Sequence, residues 1–273
     1  MLMTHMRRGW QLAVRHFAII IFLFLYQLMW GFFLYRFVDD VVAPLLRRFP
    51  DSYPSNTAVS QFLMESQFQL MRTELLQPYA WTLGCILLAR MLLTPIFNAG
   101  LFYSLHHAEE GKGTQFMLGI RRCWKPVGLL YWTGALLTLA PAWWLLPAAL
   151  RALLQSGSSA ELLQTTLPYA AGWLAWAVLI HMLFLAMQLG AASGEGGILG
   201  SLWTALRHFL PYAGISLLMW AIGAGLSAFV TSLSLVWAGL LALVLHQGFH
   251  LVRTLVKVWT VAAQLDCLQS RRG

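Results

Sequence analysis

The chain has 273 residues, of which 59% are hydrophobic and only 10% charged, whereas a soluble domain carries about 25% charged residues. Water is therefore not its main solvent, and 13 tryptophans, whose rings favour the headgroup level of a bilayer, suit a membrane protein. The formal charge of +8 would suit nucleic acid, but its placement along the chain follows membrane topology, so nucleic acid is not an expected partner.

A bilayer core of about 30 Å needs roughly 20 mostly apolar residues per helix. The first such run covers 17–35 and follows Arg7, Arg8 and Arg15. It is longer than the apolar core of a signal peptide and ends without a small-x-small cleavage site, so it reads as a retained span. A loop over 36–79 comes next, too short for an independent core. Pro44, Pro50 and Pro54 break its first half. In the second half Met64, Phe68, Met71 and Leu75 recur opposite Glu65, Gln69 and Arg72, a spacing that predicts an amphipathic helix on the outer surface, either a connector or a lid.

Further apolar runs cover 80–103, 127–146, 169–189, 210–230 and 233–255, the last two separated only by a short break at Thr231 and Ser232. The expected fold is thus all-α: a polytopic bundle of six spans forming one membrane domain over 1–273. An amino terminus on the cytoplasmic side leaves twelve Lys and Arg inside and five outside, with Arg90 within a span, and this accounts for all 18. That balance obeys the positive-inside rule and predicts a multi-pass inner-membrane protein with both termini cytoplasmic.

A repeat is legible at a spacing of 85 residues. Glu110-Gly111 followed by Arg122, Trp124 and Pro126 matches Glu195-Gly196 followed by Arg207, Phe209 and Pro211. Arg207-His208-Phe209 also repeats Arg15-His16-Phe17 before the first span. Three short amphipathic lead-ins, each introducing a pair of spans, predict three related hairpins about a pseudo-threefold axis. In each, an Arg (Arg15, Arg122, Arg207) is placed to contact lipid headgroups and an aromatic ring to anchor the interface. In two of the three, a Pro is placed in the first turn of the span, where its missing N–H costs nothing. Generic membrane-insertion signals and a lipid-binding role both account for these features.

This layout, carried by the segments from Glu110-Gly111 to Pro126 and from Glu195-Gly196 to Pro211, resembles the membrane domain found beside bacterial glycerophosphodiester phosphodiesterases and related six-helix bacterial membrane proteins. In the phosphodiesterases catalysis belongs to a separate soluble barrel that this sequence lacks, so the resemblance carries over no catalytic residue. It implies a bacterial inner-membrane protein standing on its own.

Among candidate sites Arg90 comes first, because a charge near mid-span is costly and faces a protein interior, a cavity or a partner. Gln27 lies at similar depth in the first span, and a hydrogen bond from it or a carbonyl freed by Pro95 is one way to satisfy Arg90. An anionic ligand such as a lipid phosphate is the other, with Asn98 lining the same cavity. His246 and His250, four residues apart, share a helix face at a spacing that suits a metal, yet two ligands do not make a site. His106, His107, Glu109 and Glu110 would have to converge with them. His181, alone in the fourth span, is expected to bond a neighbouring helix. Cys85, Cys123 and Cys267 form no C-x-x-C pair, no serine sits in a G-x-S-x-G elbow, and Gly194-Glu195-Gly196-Gly197 lacks the Lys-Ser/Thr of a phosphate loop and reads as a turn. No catalytic residue and no cofactor are therefore expected. The reading that follows is a non-enzymatic membrane protein that binds lipid or a membrane-protein partner, in envelope homeostasis or complex assembly. The alternative is a small transporter or lipid-translocating protein with a polar path near Arg90.

Overall fold

A computed structural model describes residues 2–46, 73–108, 115–155, 159–194, 197–236 and 240–270. Among them every regular element is a helix: α1 (Leu2–Arg15), α2 (Phe17–Leu46), α3 (Thr73–His106), α4 (Phe116–Leu139), α5 (Ala142–Gln155), α6 (Ser159–Ser193), α7 (Gly197–Arg207), α8 (Phe209–Val236) and α9 (Leu240–Gln269). Five stretches are long and apolar enough to cross a bilayer, namely Phe17–Asp40, Ala80–His106, Phe116–Ala149, Thr166–Ser193 and Phe209–Leu233. The chain is a multi-pass membrane protein. The loop helix predicted around Met64 to Leu75 lies outside the residues whose side chains are described.

Two compact units divide the chain, one formed by Met1–Ile21 with Pro95–Gly273 and the other by Phe22–Thr94. In the smaller unit the Tyr26 hydroxyl meets Thr94 Oγ1 at 3.1 Å, and that threonine donates to the Arg90 carbonyl at 2.6 Å. Tyr26 and Trp30 pack edge to face at 6.0 Å, and Arg36 pairs with Asp40 one turn on.

In the larger unit α1 packs along α9, α9 along α8, α4 along α6, and α6 along α7. The amphipathic α1 docks through several contacts at once. Gly9 lies so close to α9 that an added β-carbon would fall 2.7 Å from the Ala263 backbone nitrogen. Trp10 packs its edge on Trp259 at 4.9 Å, and the Trp259 indole donates to the Met6 carbonyl at 2.8 Å. Beneath them Ile215, Met219, Ala263 and Cys267 form a buried cluster.

Two of the three expected lead-ins are separate helices. After α1 the chain turns at His16, whose Nδ1 donates to the Leu12 carbonyl at 3.0 Å, and α2 begins at Phe17. After α7 the chain turns at His208 and α8 begins at Phe209. The Arg-His-Phe trio thus occupies the same junction twice. In the middle lead-in Cys123 stands in place of the histidine, and α4 runs unbroken from Phe116 through Pro126. The expectation that Pro126 opens a span is corrected: it lies eleven residues into the helix, while Pro211 does sit in the first turn of α8.

Two span boundaries also move. The third run, expected unbroken over 127–146, ends as a helix at Leu139 and restarts at Ala142. Pro141 has no N–H for the Leu137 carbonyl, so the ladder stops there. The break expected at Thr231 and Ser232 is absent. Both hydroxyls turn back onto carbonyls of their own helix, at 2.9 Å each, and α8 continues to Val236.

Side-chain burial keeps one register across the three lead-ins. Ile20, Val127 and Tyr212, each five residues after Arg15, Arg122 or Arg207, are buried, and so are Leu23, Leu130 and Ile215 three residues further on. Six residues before each Arg lies a point of close helix approach: Gly9 against Ala263, Phe116 against Gly100, and Ser201 against Gly190.

Candidate functional site

Arg90 lies on α3 ten residues from Ala80, the start of its apolar stretch, which places it about 15 Å along the helix and near the middle of a bilayer core of about 30 Å. Its side chain is exposed, and its guanidinium makes no hydrogen bond or ion pair among the described residues. Only its carbonyl is engaged, by Thr94 and more distantly by Tyr26 at 3.5 Å. Gln27 is half-buried and has interactions of its own. No hydrogen bond joins it to Arg90. Asn98 belongs to the larger unit, half-buried among helix-packing residues.

Arg15, Arg122 and Arg207 are all exposed. Arg122 donates to the Tyr103 hydroxyl at 3.2 Å, so it also ties α4 to α3. Tyr103 in turn stacks on His107 at 4.1 Å. Arg15 and Arg207 make no such bond among the described residues and present their charge outward.

At the lead-in end of the larger unit the last turns of three helices meet. His106 of α3, Gly190 and Ser193 of α6, and Leu265, Leu268 and Gln269 of α9 enclose a cavity of about 10 Å³, room for at most a single water. Gln269 Nε2 donates to His106 Nδ1 at 2.9 Å across it. Beside it the His5 ring meets Asp266 at 2.6 Å, with the Arg8 guanidinium 3.9 Å from the same carboxylate. Sequence reasoning missed this cluster, because His5 and Asp266 are 261 residues apart and no motif joins them. A polar thread runs deeper: Gln264 donates to Ser216 at 2.6 Å, Ser216 to the Tyr212 carbonyl, and the Tyr212 hydroxyl to the Met182 carbonyl on α6.

Of the histidine candidates, His106 and His250 are not brought together. His106 contacts Gln269, while His250 lies nineteen residues earlier on α9, about 28 Å along the helix. The His246 side chain, Glu109 and Glu110 lie outside the described residues. Among those described, no group of three His, Cys, Asp or Glu is arranged to hold a metal. His181 lies on α6 and makes no side-chain hydrogen bond among the described residues.

A second feature sits about 25 Å along α6 from Gly190, at the opposite end of the helices. Pro141 orphans the Leu137 carbonyl, and the helix restart leaves Thr138 without its usual donor. Two indoles of α6 fill both vacancies: Trp176 donates to Leu137 at 3.0 Å and Trp173 to Thr138 at 2.9 Å. Between these rings, the α4–α5 turn and the first turn of α5, which carries Trp143 and Trp144, lies an open groove of about 620 Å³. Tryptophan content alone foretold interfacial rings; their gathering around Pro141 was not readable from spacing.

Comparison with protein-family models, curated proteins and solved structures finds no match for this chain.

Proposed function

We propose that the chain is a non-enzymatic inner-membrane protein that binds an anionic lipid headgroup at Arg90. The observation that carries this reading is the guanidinium itself, exposed near mid-span with no partner among the described residues. A bare charge at that depth costs several kcal/mol or distorts the bilayer. A phosphate drawn toward it by the guanidinium's paired N–H donors offsets that cost.

The same reading takes the architecture as six spans in three related hairpins with both termini cytoplasmic, α9 supplying the sixth. The shared register of buried positions after Arg15, Arg122 and Arg207, and of close approaches six residues before them, supports the repeat. So does the way α1 packs on α9 as α7 packs on α6. The layout agrees with the resemblance to the phosphodiesterase-associated membrane domain.

Native mass spectrometry of the gently solubilised protein tests the site. An anionic phospholipid is expected to accompany wild type and to be lost from Arg90→Ala but kept by Arg90→Lys. Identical lipid adducts on wild type and Arg90→Ala would overturn it, and loss of a co-purifying protein instead of a lipid would reassign Arg90 to a membrane-protein interface.

A further inference from the structure

The groove bounded by the α4–α5 turn and α6 has a chemistry distinct from that of the Arg90 surface. Its volume of about 620 Å³ falls in the range of small-molecule sites. Trp143, Trp144, Trp173, Trp176 and Tyr169 supply its rings, and among the described residues no Asp, Glu, Lys, Arg or His lines it. Trp173 and Trp176 spend their N–H groups on the carbonyls freed by the Pro141 break, so their rings are held in fixed positions. Trp143 and Trp144 are 84% and 83% exposed, and their indole N–H groups make no hydrogen bond among the described residues.

Charge complementarity selects the occupant. Indole faces carry negative quadrupole density and attract an ammonium group without needing a carboxylate. Free indole N–H groups donate to phosphate or ester oxygens. A site offering both, with no formal charge among its described lining residues, matches a headgroup that is positive and negative at once. The groove runs from Pro168 and Tyr169, within about 5 Å of the Thr166 end of the span and so at headgroup level, to Trp176, about 15 Å along the helix at the depth of the acyl chains. Its deep, apolar end therefore accepts the start of an acyl chain. We propose that this groove binds one zwitterionic phospholipid, its ammonium against the indole faces and its phosphate on Trp143 and Trp144. The proposal is independent of the Arg90 reading, since it concerns another site and a headgroup of different charge.

The full chain, reconstituted in phosphatidylglycerol vesicles, is titrated with phosphatidylcholine carrying dibrominated acyl chains while tryptophan fluorescence is followed. Wild type is expected to show a quenched component that saturates while the brominated lipid is still a minor species. Gly172 lines the groove and an added β-carbon there meets nothing within 4 Å, so Gly172→Leu fills the space without a clash and retains every tryptophan. That variant is expected to lose the saturating component. Trp143→Phe/Trp144→Phe, read through Trp173 and Trp176, is expected to bind about tenfold more weakly. Quenching that follows bulk lipid fraction alike in wild type and Gly172→Leu would overturn the proposal, as would equal saturation by dibrominated phosphatidylglycerol in phosphatidylcholine vesicles.

Discussion

Gly9 and Ala263 bring α1 and α9 together backbone against backbone: a β-carbon on Gly9 would lie 2.7 Å from the Ala263 nitrogen and 2.8 Å from its Cα. Backbone cannot step aside as a flexible side chain would. Gly9→Ala is therefore expected to force the helices apart and cost about 1–3 kcal/mol, read as a lowered thermal midpoint in detergent. Gly31→Ala, where an added β-carbon meets nothing within 4 Å, serves as the control and should not lower it. Equal midpoints for Gly9→Ala and wild type would refute the close approach.

The contact between Gly190 and Ser201 is the counterpart on α6 and α7. A β-carbon on Gly190 would overlap the Ser201 side chain, which is itself fully buried and bonded to the Gly197 carbonyl at 3.1 Å. Here the obstacle is a removable side chain. Gly190→Ala alone is expected to destabilise by about 1–3 kcal/mol, and Gly190→Ala/Ser201→Gly to regain part of that loss. A double-mutant cycle measures the coupling; strictly additive effects would mean that the two residues do not meet.

These packing relations mark where sequence reasoning stopped. Five of the six expected span positions were legible because about 20 apolar residues in a row have few other uses. The junctions at His16 and His208 were foreshadowed by the Arg-His-Phe trio, yet the same alignment misplaced the start of the middle span, since Cys123 and Pro126 sit inside a continuous helix. Thr231 and Ser232 looked like a break because they are polar. Their hydroxyls satisfy themselves on Ser227 and Ala228, and a helix tolerates that. Arg90 was found by its charge alone, whereas the groove needed Pro141 to be read together with two tryptophans more than 30 positions away.

Asp266 holds the start of α1 through His5 at 2.6 Å, with Arg8 at 3.9 Å. Both partners are partly exposed, so the pair contributes on the order of 1 kcal/mol, enough to set how often the helix end opens. Asp266→Asn is expected to speed amide hydrogen exchange over the first two turns of α1, with little change in α8. His5→Ala should do the same. If exchange over α1 is unaltered in both variants, the helix is held by Gly9, Trp10 and Trp259 without help from the carboxylate.

The Pro141 break and the Trp176 indole compensate each other, and that relation predicts a reversal of sign. Trp176→Phe keeps the ring but removes the donor that the Leu137 carbonyl uses at 3.0 Å. In a lipid environment an unpaired carbonyl is costly, so the variant should lose about 1–3 kcal/mol. Pro141→Ala restores the N–H one helical turn after Leu137 and makes the indole redundant. Trp176→Phe introduced into the Pro141→Ala background should therefore cost much less than in wild type, and thermal midpoints of the four proteins measure the difference. Equal losses in both backgrounds would show that Trp176 stabilises the turn through ring packing, with the hydrogen bond to Leu137 contributing nothing measurable.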